Sequence, residues 1–317
     1  MKPAPFEYHA PTTVDEAVGL LRDLGDEAKV LAGGQSLIPM LNLRLARFAA
    51  LIDLGHVETL GRIERRNGHV AVGAMVRQTT VERSELVRSD IPLLAAATPL
   101  IGHFQIRNRG TVGGSIAHAD PAAEYPAVAL ALEAEIDVTG PQGERTVPAS
   151  TLFEGTWETS LAPDELLTAV RFPVWQRQSG FAVEEVARRH GDFAIAGAAC
   201  GVQLVDGRIV TASIALFGVA ATPVRATPAE QALVGSGAAT VDAVEVGQLA
   251  SRELIPPDDI HASGALRRRI AAAVVGRAVE RAIQEAASPH SEVKNRFGTA
   301  DAPAASPAAS SREARGG

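Results

Sequence analysis

The chain has 317 residues, which corresponds to about two or three domains at roughly 150 residues each. Hydrophobic residues make up 46% and charged residues 21%, as in folded globular proteins, which excludes wholesale disorder and a fibrous repeat. The 37 acidic and 30 basic residues give a net charge of −7. This acidic balance argues against a protein that binds nucleic acid or anionic membranes.

The cysteine count restricts the chemistry further. Cys200 is alone, so this chain cannot build a disulfide framework, a thiolate zinc site or an iron–sulfur cluster. The eight histidines show no metal-ligand spacing, so we expect no metal site in this chain and place any such centre on another one. The sequence has neither the apolar core of a signal peptide nor a long apolar run, which predicts a cytoplasmic protein without membrane insertion.

The first region predicts a small parallel βαβαβ unit. Thr13 and Glu16 form a capping box that starts a helix, and Gly25 ends it. The predicted strands are residues 6–9, 28–32 and 50–54, and residues 36–46 form the second predicted helix.

The second region predicts a mainly antiparallel α+β subdomain. Asn67-Gly68 is a strong tight-turn signal between extended stretches. The predicted strands are residues 62–66, 69–76 and 165–172, with one more on each side of residues 141–143. The predicted helices are residues 80–88, 92–100 and 122–132. Residues 102–120 are a predicted glycine-rich loop.

A polar, turn-rich stretch at residues 173–180 marks a boundary. Beyond it, the pattern predicts a three-stranded antiparallel sheet from residues 181–187, 194–205 and 208–219, followed by helices. Residues 265–286 form the clearest helix, with a predicted solvated flank of Arg267, Arg268, Arg277 and Arg281. Residues 287–317 lack periodicity and are a predicted disordered tail. The fold class is therefore α+β.

Residues 32–36, which we name the first glycine segment, lie where a parallel strand is followed by a helix. Paired glycines let backbone amides approach a ligand, and a helix N-terminus favours an anion, so the segment suits a phosphate. The alternative is an ordinary turn in which Ser36 is only an N-cap. The segment is neither a GxGxxG fingerprint nor a P-loop.

The second glycine segment is residues 111–115, within a stretch rich in glycine, hydroxyl and arginine residues. Such a donor-rich loop also suits a phosphate. The alternative makes Arg107 and Arg109 solvent-facing. For Asp120, which precedes a proline, an N-cap role in the next helix is favoured over a ligand contact. Two such segments could hold the two phosphates of one dinucleotide.

Three motifs carry a family resemblance: AGGQSLIPM at residues 32–40, QIRNRGTVGGS at 105–115 and GDFA at 191–194. In their order and spacing, the chain resembles the flavin-binding medium subunits of molybdenum hydroxylases, the family of the carbon monoxide dehydrogenase medium subunit and the xanthine dehydrogenase FAD subunit. The resemblance runs from residue 6 to about residue 286. It implies an FAD-binding domain with subdomains at 1–56 and 57–175, and a C-terminal domain at 176–286.

The resemblance also implies a set of FAD-binding residues. The diphosphate would lie against the two glycine segments, Glu124 near the sugar portion, and Leu161, Leu167 and Phe193 near the ring system, although core packing is the commoner fate of single apolar residues. The full implied set is Ala32, Gly33, Gly34, Gln35, Ser36, Leu37, Thr111, Val112, Gly113, Gly114, Ser115, Glu124, Leu161, Leu167 and Phe193. No catalytic residue is implied.

As a member of such a complex, the chain would pass electrons from 2Fe-2S clusters through FAD to an external acceptor. The molybdenum cofactor would lie on a large partner subunit and the clusters on a small one, in a dimer of heterotrimers. Phe193 and Glu185 depart from carbon monoxide dehydrogenases, which argues against carbon monoxide as the substrate and leaves an aromatic compound, an N-heterocycle or an aldehyde as at least equal candidates. The alternatives are a self-sufficient flavin oxidoreductase and a non-catalytic nucleotide-binding or assembly module.

Overall fold

The computed structural model describes residues 2–176 and 178–288. Its first sheet has three parallel strands in the order β1-β3-β2, which confirms the predicted parallel unit. The elements are β1 (Glu7–His9), α1 (Val14–Leu24), β2 (Ala28–Leu31), α2 (Leu37–Asn42) and β3 (Ala50–Asp53).

The predicted capping box of α1 forms with one change. The Thr13 hydroxyl accepts the Glu16 amide at 3.1 Å, but the Glu16 carboxylate accepts the amide of Thr12, at 2.8 Å, rather than that of Thr13. Gly25 ends the helix with φ of +55°, a conformation in which a side chain would be strained.

The second predicted helix is shorter than residues 36–46, because α2 ends at Asn42. Arg44 adopts a left-handed conformation with φ of +59°, which ends helical propagation. Leu43 and Leu45 are exposed, so no buried face extends the helix beyond α2.

The second sheet is antiparallel throughout, in the order β4-β5-β10-β6-β7, and β8 and β9 form a separate hairpin. Asn67 and Gly68 both have positive φ, as the tight hairpin between β4 and β5 requires. The strands are β4 (Ile63–Arg66), β5 (His69–Gly73), β6 (Glu135–Gly140), β7 (Gly143–Pro148), β8 (Phe153–Gly155), β9 (Glu158–Thr159) and β10 (Leu166–Pro173).

Seven helices accompany this sheet: α3 (Gln78–Arg83), α4 (Glu85–Asp90), α5 (Pro92–Ala97), α6 (Phe104–Arg107), α7 (Val112–His118), α8 (Glu124–Ala131) and α9 (Ala149–Leu152). The predicted helix at 80–88 is two helices, because the Ser84 side chain accepts the Val87 amide and starts α4. The prediction of a loop at 102–120 was wrong, since it contains α6 and α7. Two glycines in a seven-residue helix conceal it from propensity.

The third sheet has four antiparallel strands in sequential order, not the predicted three. The added strand has only two residues, too few for an alternating pattern to reveal. The elements are β11 (Ser179–Val186), β12 (Ala196–Val205), β13 (Arg208–Phe217), β14 (Val224–Arg225), α10 (Thr227–Leu233), α11 (Ala243–Ser251) and α12 (Gly264–Ala287).

The predicted solvated flank of α12 is confirmed for the exposed Arg268, Arg277 and Arg281, and it is wrong for Arg267. Arg267 is 5% exposed and donates to the carbonyls of Ile195 and Gly218 and to Asp259. Arg268 donates to the Leu254 carbonyl, and Arg277 and Arg281 both pair with Glu184 on β11. A buried guanidinium needs this many acceptors, and they come from elements distant in sequence, which helical periodicity does not show.

One hydrophobic core joins the second and third sheets. Val72 and Phe172 of the second sheet share it with Ala199 and Phe217 of the third. The helix α8 packs against β12 and β13. The loop between β11 and β12 therefore has a fixed position relative to the second sheet.

Two further predictions concern the C-terminal tail and membrane insertion. Of the predicted tail at 287–317, only Ala287 and Ser288 are described, and the remaining residues lie outside the described part. In residues 2–176 and 178–288, no helix is long and apolar enough to cross a membrane.

Candidate functional site

The first glycine segment forms a tight turn between β2 and α2. Gly34 has φ of +71°, and its carbonyl accepts the Ile38 amide at 3.1 Å. The Gln35 side chain donates to the Gly33 carbonyl at 3.0 Å. The carbonyls of the turn are therefore used internally, which directs its amides the other way.

Five consecutive backbone amides of this turn, from Gly33 to Leu37, have no acceptor among residues 2–176 and 178–288. Ser36 holds the N-cap position of α2, as the alternative expects, but its hydroxyl makes no capping hydrogen bond. Of these five residues only Gly33 is buried, so the amides are available to water or to an external acceptor, as amides at the start of a helix commonly are. Since α2 has six residues, the donors themselves matter here more than a helix dipole.

The second glycine segment differs, because its amides are already paired. Val112 donates to the Val76 carbonyl at 3.0 Å and Gly113 to the Ala74 carbonyl at 2.9 Å. Gly114 donates to the Thr111 hydroxyl at 3.0 Å and Ser115 to the Thr111 carbonyl at 3.1 Å. What this segment can offer a ligand is the two hydroxyl groups, those of Thr111 and Ser115.

The glycines of the second segment permit close packing. A Cβ on Gly113 would lie 2.5 Å from the Ala74 Cβ, and one on Gly114 would lie 2.7 Å from the Thr111 hydroxyl oxygen. Both distances are shorter than a carbon atom can tolerate. Glycine is therefore required there to seat α7 against the strand end of β5.

The two segments meet in space. A Cβ on Gly33 would collide with the Arg109 carbonyl oxygen and lie 2.8 Å from the Gly110 Cα. A Cβ on Gly114 would lie 3.4 Å from that of Ala32. The structure thus brings together the two segments that the sequence predicts to act on one ligand.

A cleft of about 440 Å³ opens at the first glycine segment. Its lining residues are Leu31, Gly33, Gly34, Gln35, Ile38, Pro39 and Arg109. The lining combines amide donors, apolar side chains and one arginine, a donor set that fits the diphosphate of a dinucleotide. The residues present therefore fit the phosphate portion of FAD.

Arg107 and Arg109 have different environments. Arg107 is 8% exposed, binds Glu82 through two hydrogen bonds of 2.9 and 3.2 Å, and donates to three carbonyls before α6. The solvent-facing alternative is therefore wrong for Arg107, which holds the chain ahead of the second segment. Arg109 is exposed and lines the cleft.

Two residues that the sequence did not indicate support this junction. Arg77 donates to the Arg109 carbonyl, and burial is the main cause that lowers the pKa of Arg77, with the neighbouring charge of Arg109 second. Gln78 is 4% exposed, and its backbone amide donates to the Gly110 carbonyl. The oxygen of its side chain has no hydrogen-bond partner among the described residues. Neither residue belongs to a motif, so only the fold reveals them.

Asp120 does not cap the next helix, contrary to the prediction. Ala123 holds the N-cap position of α8, and Asp120 instead accepts the Ala122 amide at 2.9 Å in the preceding turn. Its other oxygen accepts the Trp157 indole N–H at 3.3 Å. The indole lies parallel to the His118 ring, with centroids 6.1 Å apart, so Asp120 positions an aromatic pair rather than a helix.

Glu124 begins α8 and is 8% exposed. Burial, with Glu185 and Asp120 nearby, raises the pKa of Glu124 to about 8. Burial also raises the pKa of Glu185 to about 7. A largely protonated carboxyl at neutral pH can both donate and accept hydrogen bonds, and so can a hydroxyl group.

The three apolar candidates have three different environments. Leu167 lies on β10 and is buried in the main core, and Leu161 packs against that core. Phe193 is 69% exposed on the loop between β11 and β12. On that loop the His190 ring stacks on His103 at 5.9 Å, and Gly191 packs so closely on His103 that a Cβ there would lie 2.6 Å from the ring. Core packing thus accounts for Leu167 but not for Phe193.

Two family models match the chain. Residues 4–175 match the FAD-binding domain in molybdopterin dehydrogenase, and residues 181–282 match the CO dehydrogenase flavoprotein C-terminal domain. The match to the first model covers both glycine segments and the cleft.

Relatives align over nearly their whole length. The 6-hydroxypseudooxynicotine dehydrogenase complex subunit alpha of Paenarthrobacter nicotinovorans is 39% identical over 90% of this chain and 97% of its own. The caffeine dehydrogenase subunit beta of Pseudomonas sp. (strain CBB1) is 40% identical over 89% and 96%. A solved chain of carbon monoxide dehydrogenase from Hydrogenophaga pseudoflava, in a form lacking the Mo-pyranopterin moiety of the molybdenum cofactor, has a TM-score of 0.87 at 40% identity, over 90% of this chain and 99% of that one.

The fold matches that solved structure over most of the chain, and both family models describe parts of flavoproteins. The joined glycine segments lie within the first matched domain. The chain therefore belongs to the family of FAD-binding subunits of molybdenum-containing dehydrogenases, and FAD is its cofactor.

Proposed function

We propose that this chain carries FAD as the electron-transfer subunit of a heteromeric molybdenum hydroxylase. It receives electrons from 2Fe-2S clusters of a small partner subunit and delivers them to an external acceptor. The observation that carries the proposal is the junction of the two glycine segments, where five amides have no acceptor among the described residues and three of their residues, Gly33, Gly34 and Gln35, line the cleft.

Each part of the chain has a binding or positioning role. The amides from Gly33 to Leu37 donate hydrogen bonds to the diphosphate, and the hydroxyls of Thr111 and Ser115 lie on its opposite side. Glu124 holds sugar hydroxyls, and Leu161, Leu167 and Phe193 shape the space for the ring system. When bound, FAD supplies the capacity to take up electrons singly and release them singly or in pairs.

No side chain of this chain needs to act as a nucleophile or general base. Cys200 is fully buried, and burial raises the pKa of its thiol, so it is inert as a thiolate. Among the described residues, no group of three His, Cys, Asp or Glu side chains is placed to hold a metal ion. Substrate oxidation would therefore take place on a large partner subunit that holds the molybdenum cofactor.

The proposal extends to the assembly and its substrate. Relatives are named as subunits of larger enzymes, which supports partner subunits here. We propose one large and one small partner, a dimer of heterotrimers and a cytoplasmic location. Relatives of similar identity are named as subunits of a caffeine dehydrogenase, of a 6-hydroxypseudooxynicotine dehydrogenase complex and of a carbon monoxide dehydrogenase. We favour an N-heterocyclic or aromatic substrate or an aldehyde over carbon monoxide. Residues 1–175 would form the FAD-binding domain, in two subdomains divided near residue 56, and residues 176–286 the C-terminal domain.

Affinity purification of the full chain from its native host, followed by a visible spectrum, tests the proposal. We expect a flavin spectrum and two co-purifying subunits, one with molybdenum and one with iron and acid-labile sulfide. The purified chain alone should bind FAD and oxidise no organic substrate. Turnover by the chain alone would instead indicate a self-sufficient flavin oxidoreductase. An isolated chain that binds nucleotide but shows no redox change with dithionite would indicate a binding module.

A further inference from the structure

The cleft at the first glycine segment needs a positive charge that the segment does not contain. Neutral amide and hydroxyl donors alone would have to hold a diphosphate that carries about two negative charges at neutral pH. Residues 31–38 include no charged side chain. Charge-assisted hydrogen bonds are about twice as strong as neutral ones, so a cation at the cleft would add most to the binding.

Three basic residues near the cleft are engaged elsewhere. Arg107 is buried in its pairing with Glu82. Arg77 donates to the backbone carbonyl of Arg109. Lys29 on β2 lies over the Phe48 ring, 5.9 Å from its centroid. None of these three side chains lines the cleft.

Arg109 is placed differently. Arg109 lines the cleft, and its exposed side chain makes no ion pair with an acid among residues 2–176 and 178–288. Its backbone is fixed on both sides: the amide donates to the Ile106 carbonyl at 3.1 Å, and its carbonyl accepts from Arg77 and packs against Gly33. The flexible side chain of Arg109 is thus attached to a fixed backbone beside the amides of Gly33 to Leu37.

The local charge balance also favours an anion. Arg77 and Arg109 are close enough to repel each other. The nearby carboxylate of Asp53 is shared, since it accepts the Gly55 amide at 2.8 Å and the Tyr8 hydroxyl at 2.7 Å. An anion between Arg109 and the amides would relieve this excess positive charge.

We propose that the guanidinium of Arg109 binds the diphosphate of FAD, opposite the amides of Gly33 to Leu37. This inference rests on the proposed placement of the diphosphate at the first glycine segment. Arg109 thereby connects the two glycine segments through one ligand. Its main chain lies just before the second glycine segment, and its side chain binds the ligand at the first.

Titration of the full-length apoprotein with FAD, followed by quenching of flavin fluorescence, tests the role of Arg109. We expect Arg109→Gln to weaken FAD binding about tenfold to a hundredfold, as loss of a hydrogen bond to a charged group does. Arg109→Lys should restore part of the affinity. Arg252→Gln, which removes an exposed arginine after α11, should bind like the wild type.

A second readout separates charge from structure. Raising the NaCl concentration should weaken FAD binding to the wild type more than to Arg109→Gln, because salt screens an exposed ion pair. ADP, which carries the diphosphate without the flavin, should compete less well in Arg109→Gln than in the wild type. Wild-type affinity and wild-type salt dependence in Arg109→Gln would overturn the inference. Failure of the wild-type chain to bind FAD or ADP would instead contradict the placement of the cofactor itself.

Discussion

The two glycine segments have nearly the same composition, since each contains a Gly-Gly pair and a serine close behind it. Their backbone amides are used in opposite ways. In the first segment, the amides from Gly33 to Leu37 find no acceptor among the described residues. In the second, the four amides from Val112 to Ser115 all have protein acceptors.

The difference shows that glycine serves two physical purposes at one site. In the first segment it gives a positive φ at Gly34 and an open face of donors. In the second it removes Cβ atoms, so that α7 can approach Ala74 and Ala32. In our proposal, the amides of the first segment bind the ligand, and the packing of the second segment holds the first in place. Substitutions in the two segments should therefore differ in whether they change FAD binding or folding stability, and in how large the change is.

Gly114→Asp should have the largest effect, loss of FAD retention. The new side chain would meet the Thr111 hydroxyl and Ala32, and its carboxylate would repel the diphosphate. We expect colourless protein whose third sheet stays folded, as judged by circular dichroism and limited proteolysis. Gly61→Asp, at a glycine with open space, is the matched control and should stay yellow. Full flavin occupancy in Gly114→Asp would refute our placement of the diphosphate.

Glu124→Gln should change the pH dependence of stability in the ligand-free chain. The pKa of Glu124 rises from 4.5 to about 8 on folding, so its contribution to stability is complete below pH 4.5 and is lost as the pH rises through about 8. The variant lacks this loss and should be the more stable protein at pH 9, by at most about 5 kcal/mol. Urea unfolding at pH 5 and pH 9 measures the difference, with exposed Glu154 changed to Gln as the control. Parallel pH profiles for wild type and Glu124→Gln would contradict the assignment.

Gly113→Ala should destabilise the fold by about 1–3 kcal/mol, as overpacking does. Its Cβ would lie 2.5 Å from the Ala74 Cβ and 2.8 Å from the Ala74 carbonyl oxygen. Gly19→Ala in α1 is the matched control, since nothing lies within 4 Å of its Cβ position. The control should stabilise the chain by roughly 0.5–1 kcal/mol. Equal unfolding midpoints for both variants would show that Gly113 has no packing role.

The hydroxyls of Thr111 and Ser36 should show the smallest effects, one on stability and the other on FAD affinity. Thr111→Ala removes the cap on Gly114 and should cost about 1 kcal/mol of folding free energy. Ser36→Ala removes a hydroxyl with no capping bond, so stability should not change, while FAD affinity should fall up to about tenfold. Thermal unfolding and FAD titration of both variants measure the two effects. A destabilised Ser36→Ala would break the division between a binding and a holding segment.

Much of the fold could be predicted from local sequence. The parallel unit, the Asn67-Gly68 hairpin and the α+β class follow from periodicity and turn chemistry, and the structure confirms them. The sequence did not predict two short elements: α7, which contains two glycines, and β14, which has two residues. Their stability comes from tertiary contacts, which intrinsic propensity does not encode.

The site could be predicted less completely. The sequence indicated that the two glycine segments act together, and they meet at Gly33 and Gly110. It could not show which amides are paired, because the acceptors at Ala74 and Val76 are distant along the chain. For the same reason, the burial of Arg107 and the support from Arg77 and Gln78 appear only in three dimensions.

A crystal structure of the FAD complex tests the central claim most directly. We predict that diphosphate oxygens accept hydrogen bonds from the amides of Gly33 to Leu37, while the amides of Val112 to Ser115 keep their protein acceptors. A diphosphate held by the amides of the second segment, or one bound away from the junction of the two segments, would contradict it.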